Sequence, residues 1–125
     1  MIPENELLDL LDKTKQEQKQ WAIDKYLVKV IGSTGGADDE TVYESLADLA
    51  ERLWEMAYLA NIHSPLLDNA IVRIYENTTG IRVISKADKI TMLTWWLEPK
   101  KIIHRTVAAL IALGRAGVDV TKEEE

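Results

Sequence analysis

Residues 41–63 read TVYESLADLAERLWEMAYLANIH, and the spacing of their apolar residues decides the fold. Val42, Leu46, Leu49, Leu53, Ala57 and Ala60 recur at intervals of three and four. That period lays them in one buried stripe along an α-helix. Thr41-Val42-Tyr43-Glu44 supplies a capping box at its start: the hydroxyl accepts from the third helical N–H and the carboxylate reaches back. Glu44, Asp48, Glu51 and Glu55 form a separate acidic stripe on the same helix. The helix is expected to stop near His63, because Pro65 disfavours helical geometry at Ser64. Ser64 and Pro65 then suit the N-cap and first position of a following helix, continued by Leu66, Leu67, Ala70, Ile71 and Ile74.

Downstream, residues 71–85 admit two readings. Ile71 to Tyr75 either closes that helix or forms a strand. Glu76-Asn77-Thr78-Thr79-Gly80 is turn chemistry. Ile81-Arg82-Val83-Ile84 is β-branched and partly alternating, which reads as a short strand. A strand needs a partner, so a short β-hairpin is expected near residues 72–84. Ser85-Lys86-Ala87-Asp88 is a second capping-box-like start, and Ile90, Leu93, Trp96 and Leu97 supply the apolar residues of the helix after it. Pro99 opens a last helix whose wide apolar face is Ile102, Ile103, Thr106, Val107, Leu110, Ile111 and Leu113. Gly114 and Gly117 mark its end.

Upstream, a first helix is expected from about Glu4 to Ile31, with Pro3 in its first turn and Gly32 at its stop. Leu7, Leu8 and Leu11 form one apolar cluster, and Trp21, Ile23, Leu27, Val30 and Ile31 another. Asp12 to Gln20 between them is wholly polar, so this section is solvated, the helix is broken there, or it forms an exposed arm. Gly32-Ser33-Thr34-Gly35-Gly36 reads as a linker. It has neither the Lys-Ser/Thr of a phosphate-binding loop nor GxGxxG spacing. The expected fold class is mainly α: a small helical bundle of about five helices with a short hairpin insertion. It forms a single domain over residues 1–117, followed by a disordered acidic tail over 118–125.

Composition narrows the chemistry. The 125 residues contain no Cys and no Phe, so four Trp and four Tyr carry all the aromatic bulk. Without cysteine there is no disulfide framework, thiolate metal site or thiol nucleophile. No apolar run approaches the roughly 20 residues that span a bilayer. The first eleven residues carry acids where a signal peptide carries bases. A soluble, cytoplasmic protein is expected.

Charge is unevenly placed. The net charge is −6, yet residues 38–55 hold seven acids against Arg52 alone, while residues 82–105 hold six bases against Asp88 and Glu98. The acidic stripe is either a solvated face or a protein-contact face built on Glu44, Asp48, Glu51 and Glu55. A Mg²⁺ site would need carboxylates from a second helix, and the later helices offer only Asp68, Asp88 and Glu98. His63 and His104 lack metal-ligand or catalytic spacing, and Ser64 lacks the context of a nucleophile. No catalytic residue, cofactor or metal is assigned. In the basic stretch, Lys86, Lys89, Lys100, Lys101 and Arg105 bracket Trp95-Trp96. Bases neutralise phosphates, and exposed aromatics stack on unpaired nucleobases. Adjacent helical residues point about 100° apart, so one Trp at most is expected to be fully buried. Trp96 has the better core register, which leaves Trp95 as the surface anchor for nucleic acid or protein. An acidic zone and a basic zone on one small chain also suit head-to-tail self-association.

The segment Leu46-Ala47-Asp48-Leu49-Ala50, continuing through Ala57-Tyr58-Leu59-Ala60-Asn61-Ile62-His63-Ser64-Pro65-Leu66-Leu67-Asp68, resembles the small subunit of archaeal type I-A CRISPR effector (Cascade) complexes. Short length, a helical body and a small β insertion agree with it. The resemblance implies a non-catalytic role in antiviral defence, with copies stacking beside one another and holding a nucleic-acid backbone while guide pairing reads the sequence. No functional-residue motif transfers with it. Lys86, Lys89, Lys100, Lys101 and Arg105 as phosphate contacts, and Trp95 as stacking platform, therefore rest on local chemistry. The expected partners are other protein subunits and single-stranded DNA or RNA. The alternative is an acidic protein–protein adaptor or viral accessory protein that binds no nucleic acid. A metal-dependent nucleotide hydrolase ranks third.

Overall fold

The computed structural model describes residues 2–25, 39–97 and 102–120, with side chains from residue 46 onward in the second stretch. Six helices lie within them: α1 (Glu4–Leu10), α2 (Lys15–Asp24), α3 (Asp39–Ala60), α4 (Leu66–Thr79), α5 (Lys86–Trp96) and α6 (Ile102–Arg115). Among the described residues there is no strand. The mainly helical bundle is as expected, and the β-hairpin near residues 72–84 is not present.

The polar section after Leu11 is a break. Thr14 caps α2, its hydroxyl accepting from Glu17 N at 3.2 Å while the Glu17 carboxylate accepts from Thr14 N at 3.2 Å. This Thr-x-x-Glu box was legible in the sequence, and it starts a second helix where one long helix was the first expectation. Nor is the section wholly solvated. Gln18 donates from Nε2 to Leu10 O at 3.0 Å, and Lys19 is buried. Glu6 then ties the pair together, accepting from Trp21 Nε1 at 3.0 Å and pairing with Lys25 Nζ at 3.0 Å. The continuation to Ile31, the linker over 32–36 and Pro99 lie outside the described residues.

The helix that decides the fold starts at Asp39, three residues upstream of Val42, the first helical position that a Thr41 cap implies. Leu46, Leu49, Leu53 and Ala57 are buried as their spacing requires, joined by Ala50. Ala60 is exposed and Asn61 takes the buried place. α4 starts at Leu66, with Pro65 as its N-cap. It continues through the ambiguous segment to Thr79, because Ile71, Ile74 and Tyr75 recur at helical spacing and are all buried. Gly80 ends it with φ 73°, a left-handed conformation that suits glycine. The hairpin fails for a specific reason. Ile81 N donates to Thr79 Oγ1, Val83 N to Glu76 Oε2 and Ile84 N to Asp88 Oδ2, at 3.0–3.2 Å. Side chains from the ends of α4 and α5 satisfy the N–H groups that a partner strand would have taken.

α6 is the centre. Every residue from Ile103 to Leu113 except His104 and Arg105 is buried, including Ala108, Ala109 and Ala112. The wide apolar face expected there widens to burial on all sides over Thr106 to Leu113, with the Thr106 hydroxyl donating to Ile102 O. α1, α3 and α4 pack around it. Beyond Arg115, Val118 N donates to Leu113 O at 2.9 Å and Gly117 N to Gly114 O at 3.1 Å, with Gly117 at φ 83°. This is a Schellman stop. It turns Val120 back against the core.

The first and last helices are clasped by charge. Arg115 donates to both carboxylate oxygens of Glu4, from Nη2 at 3.0 Å. The Arg115 hydrogen bond holds the Glu4 carboxyl below its ordinary value, and Lys25, with Trp21, does the same for Glu6. Carboxyls depressed in the folded state stabilise it above their unfolded pKa and lose that contribution as pH falls through the folded values. The melting temperature is therefore expected to drop as pH falls below about 4.5. The step should be modest, because side chains one-third exposed to solvent are worth at most about 1 kcal/mol per pair. Glu4→Gln/Glu6→Gln should flatten this acid limb. An unchanged limb in that variant would assign the acid sensitivity elsewhere.

Candidate protein-contact faces on α3 and α5

α5 is set by its cap. The Ser85 hydroxyl accepts from Asp88 N at 3.1 Å, and Asp88 Oδ2 accepts from Ser85 N at 3.0 Å. The N–H groups of Ser85 and Ile84, with the Ser85 hydroxyl, hold the Asp88 carboxyl below the usual carboxylate range. The one acid in α5 is thus spent on starting the helix, and the exposed charges of its first turns are Lys86 and Lys89.

Which way α5 faces was not legible in its spacing. Of the apolar residues Ile90, Leu93, Trp96 and Leu97, only Trp96 is buried, as its core register predicts. Met92 is buried with it, and Trp95 is half-buried beside them. Trp96 lies 5.8 Å from Trp54, ring centre to ring centre. Trp95 meets Tyr75 edge-on at 5.2 Å and His104 edge-on at 5.6 Å. Burying a tryptophan removes roughly 150–250 Å² from water, which at about 25 cal/mol per Å² exceeds the 1.5–3 kcal/mol of a leucine or isoleucine. The helix rotates to seat both indoles and turns its aliphatic residues outward. Ile90 is 65% exposed and Leu97 80%, with Leu93 exposed between them.

Lys86, Ile90, Leu93 and Leu97 follow at i, i+4, i+7 and i+11, so they form one line down the helix. Lys89 borders it. Ile84, 85% exposed, stands just before the helix. This lysine-headed apolar line is the feature that reading residue types missed. The signal for it was the Trp pair, which cannot face inward without expelling the leucines.

The outer face of α3 has the opposite charge and the same layout. Asp48, Glu51 and Glu55 are exposed there, with Arg52 among them. Leu59 extends that line and is 62% exposed, and Ile62, in the turn beyond the helix, is 59% exposed. Glu44 belongs to the same stripe by sequence, but its side chain lies outside the described residues.

Four of the six expected nucleic-acid residues, Lys86, Lys89, Trp95 and Arg105, lie among the described ones. Arg105 is committed inward: its guanidinium lies 5.0 Å above the Trp54 ring, and Nη2 pairs with Glu51 Oε1 at 3.2 Å. Trp95 is half-buried with edge-on partners, which is not the open stacking platform expected of it. Lys100 and Lys101 lie outside the described residues. Lys86 and Lys89 are exposed.

Comparison with known proteins finds no matching family model, curated protein or solved structure.

Two further features bound the chemistry. Among the described residues no group of three or more His, Asp or Glu side chains could hold a metal ion, and no helix is long and apolar enough to cross a membrane. A cleft of about 270 Å³ opens between α1 and α6 beside Ile2, Leu7, Leu110 and Ile111. Its two charged lining residues, Glu4 and Arg115, already satisfy each other.

Proposed function

We propose that this chain is a non-catalytic small subunit of a larger assembly and works by protein contact through the lysine-headed apolar face of α5. One observation carries the reading: Ile90, Leu93 and Leu97 lie exposed in a single line on a well-capped helix whose other side is anchored by two tryptophans. Contiguous exposed apolar patches on small proteins mark interaction sites, and a line at i, i+3 and i+7 is how a helix docks to a partner. The resemblance of residues 46–68 to a CRISPR effector small subunit agrees with an assembly role and suggests a nucleoprotein complex.

Contact with nucleic-acid backbone is the second reading, favoured by the exposed pair Lys86 and Lys89. Arg105 and Trp95 contribute little to it, because their charge and rings are engaged within the fold. The acidic-adaptor alternative uses the α3 face in place of α5.

The test is recovery of the tagged chain from the cells that encode it, comparing wild type with Leu93→Asp/Leu97→Asp. Both side chains are exposed, so the variant should keep its melting temperature and lose a stoichiometric protein partner. Retention of that partner would overturn the α5 reading. In parallel, fluorescence anisotropy with labelled single-stranded DNA and RNA across a salt series separates the second reading. Salt-sensitive binding that weakens in Lys86→Glu/Lys89→Glu supports backbone contact. No binding at low salt leaves protein contact as the function.

A further inference from the structure

We propose that the occupant of the α5 face is an acidic amphipathic helix of an unlike protein, packed along α5 with its carboxylates beside Lys86 and Lys89. The inference rests on reading α5 as a protein-contact surface, and it names the chemistry of the partner.

The face extends beyond the helix. Ile81 and Ile84, in the segment before α5, are 53% and 85% exposed, and Arg82 is exposed between them. Together with Ile90, Leu93 and Leu97, they leave residues 81–97 with aliphatic side chains and three bases, Arg82, Lys86 and Lys89, turned to solvent. The one acid of the stretch is not available to those bases, because Asp88 accepts from the N–H groups of Ile84 and Ser85. Thr91 and Thr94 donate their hydroxyls to Ala87 O and Ile90 O, so neither asks a partner for an acceptor. What arrives at this surface meets apolar and cationic groups alone. Carboxylates are the groups that answer the lysines.

The backbone selects a helix. Ile81, Val83 and Ile84 have given their N–H groups to Thr79, Glu76 and Asp88. A strand cannot add to an edge whose donors are taken. The partner must therefore satisfy its own backbone, as a helix does. From Lys86 to Leu97 the line is about 16 Å long at 1.5 Å per residue, with its cationic residues in the first turns and its apolar residues after them. A helix that fits has carboxylates at one end of a short apolar stripe. A basic helix would set like charges together where water is excluded. An anionic bilayer would attract the same lysines, but it spreads beneath a whole molecule of net charge −6. A helix touches the cationic patch alone, and screening over about 8 Å removes most of the remaining repulsion.

Fluorescence anisotropy provides the test, with a labelled peptide of roughly 18 residues, long enough to hold a helix. Its apolar stripe is leucine and its flanks are glutamate, and a second peptide has lysine for each glutamate. The glutamate peptide is expected to bind wild type, to weaken with salt, and to bind roughly tenfold more tightly than the lysine peptide. Leu93→Asp/Leu97→Asp should abolish binding, and Lys86→Glu/Lys89→Glu should reverse the preference between peptides, which apolar adhesion alone would not do. If the aspartate variant loses its fold by circular dichroism, Leu93→Ser/Leu97→Ser replaces it. No binding of the glutamate peptide, or equal binding of the two, overturns the inference. So does binding to phosphatidylserine vesicles in place of the peptide, which would make the face a lipid contact. Self-association lost in the Leu93/Leu97 variant overturns it too, because the occupant is then a second copy. If the glutamate peptide fails while the cellular partner still depends on Leu93 and Leu97, the acidic helix falls and the protein-contact reading stands.

Discussion

Trp96→Ala is expected to lower the unfolding free energy by about 3–5 kcal/mol, while Leu97→Ala beside it changes it by less than about 0.5 kcal/mol. Trp96 is 7% exposed and closes the gap between α5 and α3 by lying against Trp54. Truncation removes its buried area and leaves a void that the surrounding helices fill only in part. Leu97 points into solvent, so its loss removes nothing from the core. Set against a typical domain stability of about 5–15 kcal/mol, the Trp96 variant stands near the edge of folding. A shift of that size corresponds to a melting-temperature drop of roughly 10–20 °C in a domain of this length. Urea unfolding gives the comparison directly, with stability read from the midpoint at unchanged slope. Trp54→Ala/Trp96→Ala should cost less than the two single changes together, since each ring supports the other. Equal midpoints for Trp96→Ala and Leu97→Ala would show that α5 is seated on its aliphatic side after all.

Ala109→Leu should cost about 1–3 kcal/mol or more, although it adds an apolar side chain to an apolar helix. Ala108, Ala109 and Ala112 are fully buried, and α6 is enclosed by α1, α3 and α4. Their short side chains set how closely those helices approach, and close-packed interiors have no room for three further carbons without off-rotamer strain. Ala60→Leu is the matched control. Ala60 shares the spacing of the α3 core stripe but lies exposed at its end, so the same enlargement there should be neutral within about 0.5 kcal/mol. Thermal unfolding of both variants decides it. A neutral Ala109→Leu would mean that α6 is packed loosely enough to accept a leucine.

Local chemistry was legible wherever one element's own residues settle the matter. The Ser85–Asp88 box, the Leu46–Ala57 stripe and the apolar continuity of α6 were readable because capping and periodicity depend on neighbours within one turn. The Thr14–Glu17 box was equally available, and it selects the helix break from among the readings that the polar section alone leaves open. Residues 81–84 were not readable. Their β-branched composition is compatible with a strand, and the carboxylate of Glu76, the hydroxyl of Thr79 and the carboxylate of Asp88 claim their N–H groups first. The candidate site was the least legible part, because residue types in the basic stretch say nothing about which of them are already engaged. Arg105 reads as a free phosphate contact until Trp54 and Glu51 are seen around it.

The sequence by itself determined a chain without thiol chemistry, a mainly helical class, most helix boundaries to within a few residues, and the separation of an acidic zone from a basic one. Only the tertiary structure decided the rotation of α5. Met92, Trp95 and Trp96 can turn inward only where Trp54, Tyr75 and His104, from three other helices, come together to receive them. The physical reason is that periodicity measures how apolar residues are spaced along one helix. Which of two apolar sides is buried depends on the shape and area that other helices offer, and two indoles against aromatic neighbours outweigh three aliphatic side chains.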